Sequence, residues 1–281
     1  MKKRNSYTNE LINFYLEDLG DGDITTESLI DDDVLKTAKI ICKENGIVAG
    51  IEEISTLCDQ RNLEIKWNFS DGDEIKSSDI LCNMTGRIKS ILSVERVLLN
   101  LLGHMCGIAT ITHDAIQLAK LENPDIIIAG TRKTLPGLRY FEKKAIVLAG
   151  GHSHRFNLSE MILIKENHLK ITKDINSTIQ KIKANLPGQS IEIEIHNKSD
   201  LLIAVNAGAD TILLDNMNPE QIKSCIEILH SENMRKNVLL EASGNVTLDN
   251  IRAYAKTGVD IISMGVLTHS SKILDLSLIV D

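Results

Sequence analysis

The chain has 281 residues, with 31 Lys+Arg against 39 Asp+Glu and a formal net charge of −8. With 43% hydrophobic and 25% charged residues it reads as a globular protein, long enough to bury one large or two modest cores. The acidic total disfavours nucleic acid as a main partner. The longest apolar runs, such as residues 126–130, fall far short of the ~20 residues of a membrane-spanning helix. The basic start Met1-Lys2-Lys3-Arg4 is followed by no apolar stretch of the kind a signal peptide needs. Five scattered cysteines (Cys42, Cys58, Cys82, Cys106, Cys225), none in Cys-x-x-Cys spacing, suggest neither a disulfide framework nor a zinc site. A reducing cytoplasm is the compartment they imply.

In chain order, Leu11, Ile12, Phe14, Tyr15, Leu16 and Leu19 predict a short amphipathic helix over 8–19. The turn-rich Gly20-Asp21-Gly22-Asp23 follows. Short strands are predicted at 37–42, 47–50, 63–69 and 80–91, with a helix at 50–62 among them. Asn45-Gly46, Asp71-Gly72 and Thr85-Gly86 supply the turns. This half reads as a small α+β sandwich. A long helix is predicted from Ser93 to about Leu118, with Val94, Val97, Leu98, Leu101, Leu102 and Met105 along one face.

After Glu122 the rhythm becomes strand, polar tip, helix, strand. Strands are predicted at 126–129, 161–164, 191–195, 211–214, 238–241 and 261–264, and the clearest helices at 218–232 and 247–256. Gly208 and Gly258 each read as a helix stop just before a strand. Such alternation implies parallel strands with crossover helices. Residues 104–266 have room for about six or seven βα units, fewer than the eight of a full barrel. An α/β fold with an open, incomplete barrel is expected, with a doubly wound sheet as the alternative.

In this architecture the residues just past each strand converge on one face. Those tips are Arg132-Lys133, Lys165 with Asn167 and His168, Glu194 with His196, Asp215-Asn216, Ser243-Gly244-Asn245 and Gly265. Between Thr131 and Lys165 stand seven Lys/Arg (Arg132, Lys133, Arg139, Lys143, Lys144, Arg155, Lys165) against two acids (Glu142, Glu160), a segment at +5 within an acidic chain. Lys143 and Lys144 fall on a predicted helix and read as solvated surface. Arg132, Arg155 and Lys165 fall at turns or strand ends, where their heads can converge on a polyanionic substrate. Glu192 and Glu194 alternate onto one strand face. Glu194 and Asp215, at neighbouring tips, suit sugar hydroxyls or a developing positive charge. The Ser243-Gly244-Asn245 turn and Gly265 read as phosphate cradles.

Ordered motifs then carry a resemblance that runs nearly end to end. They include Glu17-Asp18-Leu19-Gly20-Asp21-Gly22-Asp23-Ile24-Thr25-Thr26, Glu95-Arg96-Val97-Leu98-Leu99-Asn100, Gly107-Ile108-Ala109-Thr110, Thr131-Arg132-Lys133-Thr134-Leu135-Pro136-Gly137-Leu138-Arg139 and His154-Arg155-Phe156-Asn157-Leu158. Leu163-Ile164-Lys165-Glu166-Asn167-His168, Leu214-Asp215-Asn216, Ser243-Gly244-Asn245-Val246-Thr247 and Leu274-Asp275-Leu276-Ser277-Leu278 complete them. The sequence resembles the quinolinate phosphoribosyltransferase family.

The resemblance implies an N-terminal α/β sandwich over 1–103, an open barrel with the active site over 104–266, and a tail, 267–281, packed back on the sandwich. It also implies transfer of phosphoribosyl from phosphoribosyl pyrophosphate to quinolinate with Mg²⁺, giving nicotinate mononucleotide, pyrophosphate and carbon dioxide. Arg132, His154, Arg155 and Lys165, with Arg96 from a neighbouring subunit, would hold quinolinate, and Lys133 would serve the anionic substrates. Glu194 and Asp215 would act on the ribose. Ser243, Gly244, Asn245 and Gly265 would cradle its phosphate. A homodimer with shared sites follows, and Mg²⁺ would come mainly on the pyrophosphate, with no dedicated protein site. Gly130, Ala149 and His196 depart from the family pattern. They keep open a molybdenum-transport-associated homologue, or a non-catalytic phosphoribosyl-binding paralogue.

Overall fold

The structure, a computed structural model, describes residues 4–172 and 174–281; the basic start at 1–3 lies outside them. In chain order the elements are α1 (Arg4–Leu19), α2 (Ile24–Leu29), β1 (Leu35–Cys42), β2 (Gly46–Ile47), α3 (Ile51–Gln60), β3 (Glu64–Trp67), β4 (Glu74–Ile75), β5 (Ile80–Arg87) and α4 (Ile88–Lys120). Then come β6 (Ile127–Ala129), α5 (Arg139–Leu148), β7 (Ile162–Ile164), α6 (Glu166–Thr172), α7 (Ile175–Asn185), β8 (Ile191–Ile195), α8 (Lys198–Ala207) and β9 (Thr211–Asp215). The chain ends with α9 (Pro219–Ser231), β10 (Leu239–Ser243), α10 (Ile251–Ala255), β11 (Ile261–Ser263), α11 (Val266–His269) and β12 (Leu276–Val280).

Two compact units result: residues 1–113, 135–150 and 271–281, and residues 114–134 with 151–270. The boundary between them falls within α4 at 113/114 rather than at 103/104. α5 also belongs to the first unit rather than to the barrel.

The first unit is built on an antiparallel sheet ordered β12-β1-β5-β3. Alternation along β1 buries Ala38, Ile40 and Cys42, and β12 pairs with β1 from Ala38↔Val280 to Cys42↔Leu276. The tail therefore belongs to this sheet, as expected. α4 departs from the reading of apolar runs: it is 33 residues long, with an 18-residue stretch of mean hydropathy 1.4, of which 72% is buried within the fold. Polar residues interrupt every run, so only the helical face reveals its apolar character. Lys143 and Lys144 also depart from expectation. Lys143 is 2% exposed, and Lys144 Nζ pairs with Glu52 Oε2 and Glu53 Oε1, each at 2.6 Å. Cys42, Cys58, Cys82, Cys106 and Cys225 are all buried and free.

The second unit is a six-stranded, wholly parallel sheet ordered β6-β11-β10-β9-β8-β7. Its ends, β6 and β7, do not pair with each other, so the sheet stays open. All six strands fall where Ile/Leu/Val runs predict them. Helix stops are equally local: Gly208 caps α8 at φ 86°, and Asn218 with Gln221 forms a capping box that starts α9. The predicted helix at 247–256 shortens to α10, because 248–250 form a turn first.

Close packing of the tail on α4 depends on two glycines one helical turn apart. A Cβ on Gly107 would sit 1.8 Å from Lys272 O, and one on Gly103 would sit 2.7 Å from Leu274 O. Leu274 N–H donates to Gly103 O at 3.0 Å. Helix propensity alone would make Gly107→Ala stabilising by about 1 kcal/mol, whereas overpacking against backbone costs roughly 1–3 kcal/mol or more. Urea unfolding of Gly107→Ala is therefore expected to show a lower midpoint, and an unchanged or raised midpoint would contradict the contact.

Candidate active site

Register aligns the strand ends of the second unit. Ala129 pairs with Ser263, Ser263 with Ser243, and Ser243 with Asp215. Two residues earlier, Glu241 pairs with Leu213 and Leu213 with Glu194. Paired residues in a parallel sheet share a face, and here both rows, Ala129 aside, line one cavity of about 470 Å³. Arg132, Lys133, His154, Arg155, Lys165, Glu194, Asp215, Ser243, Gly244, Asn245 and Gly265 all line it. Arg96 does not; it is exposed on α4 in the first unit.

One part of the wall is cationic. Arg155 is 9% exposed, and burial, with Arg132 beside it, lowers the affinity of its guanidinium for a proton. Nε of Arg132 is buried with no hydrogen-bond partner, a donor left for a ligand. Lys133 N–H donates to Thr131 Oγ1 at 3.0 Å, and the Lys133 carbonyl accepts from Thr268 Oγ1 at 2.6 Å. The second bond ties the turn after β6 to α11.

Acids face them. Lys165 Nζ lies 3.2 Å from Glu194 Oε2, and His196 Nε2 lies 3.3 Å from Glu194 Oε1. Lys165 is half exposed, so that pair is worth at most about 1 kcal/mol to stability and matters more as an arrangement of charge. Burial, reinforced by the neighbouring Glu194, raises the Asp215 carboxyl above its usual value. Donor atoms of Glu194, His196 and Asp215 lie within 4.8 Å of one another, a set that could hold a divalent cation.

Deeper in the sheet, His154 sits at φ 54°. Its Nε2 lies 3.3 Å from Glu192 Oε2 and 3.3 Å from Glu241 Oε2. Burial opposes a charge on this ring, but the two carboxylates outweigh it and push its pKa up to about 9. The Arg155 backbone N–H, 2.8 Å from Nδ1, works against a second ring proton. That neutral bond is worth ~1 kcal/mol, less than two charge-assisted ones. Burial likewise raises the Glu192 carboxyl, despite His154.

Two turns close the remaining rim. Ser243-Gly244-Asn245 follows β10 with Gly244 at φ 92° and Asn245 at φ 54°, and Gly265 leads directly into α11. Because α10 begins only at Ile251, the first turn offers loop amides rather than a helix N-terminus. A Cβ on Gly265 would lie 3.1 Å from both the His269 ring and Lys133 Cδ.

Residues 23–106 match the family model described as the quinolinate phosphoribosyl transferase N-terminal domain, and residues 108–279 match its C-terminal domain. The chain belongs to the quinolinate phosphoribosyltransferase family. It is 42% identical over 263 residues to a probable nicotinate-nucleotide pyrophosphorylase (carboxylating) of Methanothermobacter thermautotrophicus, covering 93% of this chain and 94% of that one. Among solved structures it resembles the nicotinate-nucleotide pyrophosphorylases of Ehrlichia chaffeensis and Francisella tularensis. The first has a TM-score of 0.90 at 34% identity, covering 98% of this chain and 99% of that one. The second has a TM-score of 0.89 at 34% identity, covering 98% and 95%.

As a quinolinate phosphoribosyltransferase family member, the chain carries wall residues that its sequence reading passed over. Glu241 and His269 line the cavity, while Glu192, expected on the same strand face as Glu194, holds His154. Period-two spacing from Ser243 back to Glu241 is the signal that could have found the first. His154 is raised above the 6.5 of an unfolded histidine, so the stability its charge confers is complete below pH 6.5 and is lost as pH rises through about 9. An NMR titration should find His154 changing charge near pH 9, and clearly lower in Glu192→Gln. Titration near 6.5 in the unmodified protein would contradict the assignment.

Proposed function

We propose that this cavity transfers phosphoribosyl from phosphoribosyl pyrophosphate to the ring nitrogen of quinolinate, with loss of carbon dioxide, giving nicotinate mononucleotide and pyrophosphate. The observation that carries the reading is the gathering in one cavity of two neighbouring guanidinium groups, Arg132 and Arg155, the carboxylates of Glu194 and Asp215, and the two glycine turns. The names of the relatives favour this reading over a molybdenum-transport-associated homologue or a non-catalytic paralogue.

Quinolinate is a dianion with a weakly nucleophilic nitrogen. Arg132, Arg155 and Lys165 receive its two carboxylates, the guanidinium forks bidentately, while His154 adds a cation from below. The ribose phosphate rests on the Ser243–Asn245 and Gly265 turns, so both reactants are fixed before reaction. As pyrophosphate departs, positive charge grows on the sugar carbon. Glu194 and Asp215 stabilise that charge, and Lys133 stabilises the anion that leaves. Mg²⁺, when bound, would neutralise charge on the leaving pyrophosphate. Glu194 and Asp215 are the carboxylates that would hold it from the protein side, since Mg²⁺ prefers oxygen ligands to the His196 nitrogen. Once the ring nitrogen is quaternary, it stabilises the electron pair left on the adjacent carbon when carbon dioxide leaves, and a proton from water then fills that carbon. No covalent nucleophile is needed.

The protein acts as a homodimer in this reading, with Arg96 of one subunit completing the site of the other and closing it to water. It works in the reducing cytoplasm, in keeping with five free thiols. Mixing Arg96→Ala with Lys165→Ala under subunit exchange should restore part of the activity, because one hybrid site carries neither lesion. A mixture that stays inactive after verified exchange would confine Arg96 to its own chain.

The decisive assay supplies phosphoribosyl pyrophosphate, Mg²⁺ and either quinolinate or nicotinate. Quinolinate should be converted to nicotinate mononucleotide and nicotinate should not, since one carboxylate leaves part of a desolvated cation cluster unmatched. Comparable turnover of nicotinate would contradict the proposal.

A further inference from the structure

Asn216 joins the two ends of the sugar-phosphate subsite, and the reaction described so far gives it no task. It follows Asp215 at the end of β9 with φ 54°, a left-handed conformation that asparagine tolerates better than most residues. That turn aims its backbone N–H at the Ser243 carbonyl, 2.9 Å away on the neighbouring strand. Its side-chain Nδ2 donates to Asp215 Oδ2 at 2.7 Å. Its Oδ1 accepts from Asn245 Nδ2 at 3.3 Å. The Asn245 carbonyl accepts in turn from Asn250 Nδ2 at 3.0 Å, and Asn250 Oδ1 accepts from Thr247 N–H at 2.9 Å. One amide therefore bonds the ribose carboxylate on one side and the phosphate turn on the other.

The fit is close. A Cβ on Gly244 would lie 2.2 Å from Asn216 Oδ1 and 3.0 Å from Asn216 N. Gly244 is thus required by the Asn216 amide as well as by its own φ of 92°. Nothing in the packing of the sheet needs this link, because Asn216 is exposed and the strand register is already set by the ladder between β9 and β10.

We propose that Asn216 is a positioning residue which couples the two subsites, so that seating the ribose phosphate on the 243–247 turn aims Asp215 at the sugar. The inference rests on the phosphoribosyl-transfer reading above. A hydrogen bond that orients a carboxylate is worth enough that its loss should cost about tenfold in rate or more. Asn216→Gly keeps the left-handed backbone and removes the amide. Asn216→Asp keeps an acceptor for Asn245 but turns a second carboxylate toward Asp215.

The test measures kcat and KM for phosphoribosyl pyrophosphate, with melting temperature, in both variants. Both should lose about tenfold or more in kcat/KM, with most of the loss in kcat, while Asn216→Gly keeps the wild-type melting temperature. A double-mutant cycle of Asp215→Asn and Asn245→Ala should be non-additive in the wild-type chain and additive in the Asn216→Gly background. A purely structural role would not produce that change. An active wild type with Asn216→Gly within about twofold of it, or an additive cycle in the wild-type chain, overturns the coupling alone. A wild type that forms no nicotinate mononucleotide overturns the parent reading and this one with it.

Discussion

The parallel register of one six-stranded sheet places nearly every chemical group of the site. Asp215, Ser243 and Ser263 stand in a single row across β9, β10 and β11, with Glu194, Leu213 and Glu241 in the row beneath. A slip of one residue in any strand would reverse the face of its side chains and remove them from the cavity. The hydrophobic alternates, such as Ile193, Ile195, Leu214 and Leu240, are buried on the other face of these strands and so hold the catalytic rows in place. Packing and function are enforced by the same alternation.

Charge is the second constraint. Glu192, Glu194 and Glu241 are 1%, 8% and 1% exposed, and isolated buried carboxylates are costly. Each has a cation within hydrogen-bonding distance: His154 between the two deep acids, and Lys165 on Glu194. The deep cluster still leaves one oxygen of Glu192 and one of Glu241 without a partner. Such a site is organised for charge separation rather than for maximal stability, which suits a reaction joining a dianion to a carbon that becomes positive.

The barrel was legible because its signals are local. Runs such as Ile191–Ile195 read as buried strands, and each polar tip follows directly. Less local features were not. Whether Lys143 is solvated depends on its neighbours in the folded unit, not on its position in a helix. Glu192 and Glu241 meet at His154 from segments far apart in sequence, so no motif announces the cluster, although alternation alone put Glu192 on the face of Glu194. Gly103 and Gly107 look like helix defects until the tail at 272–274 lies on them. The unit boundary escaped for a similar reason, since a continuous apolar helix hides a division that passes through it.

The central claim is that the row of acids acts on charge that exists only during transfer. Steady-state kinetics of Glu194→Gln and Asp215→Asn, with phosphoribosyl pyrophosphate varied, test it most directly, because both changes keep shape and remove charge. The account predicts a fall in kcat of roughly 10–1,000-fold, with KM changing far less. A rise in KM at unchanged kcat would contradict it, leaving the two acids as ligands of the ground-state sugar.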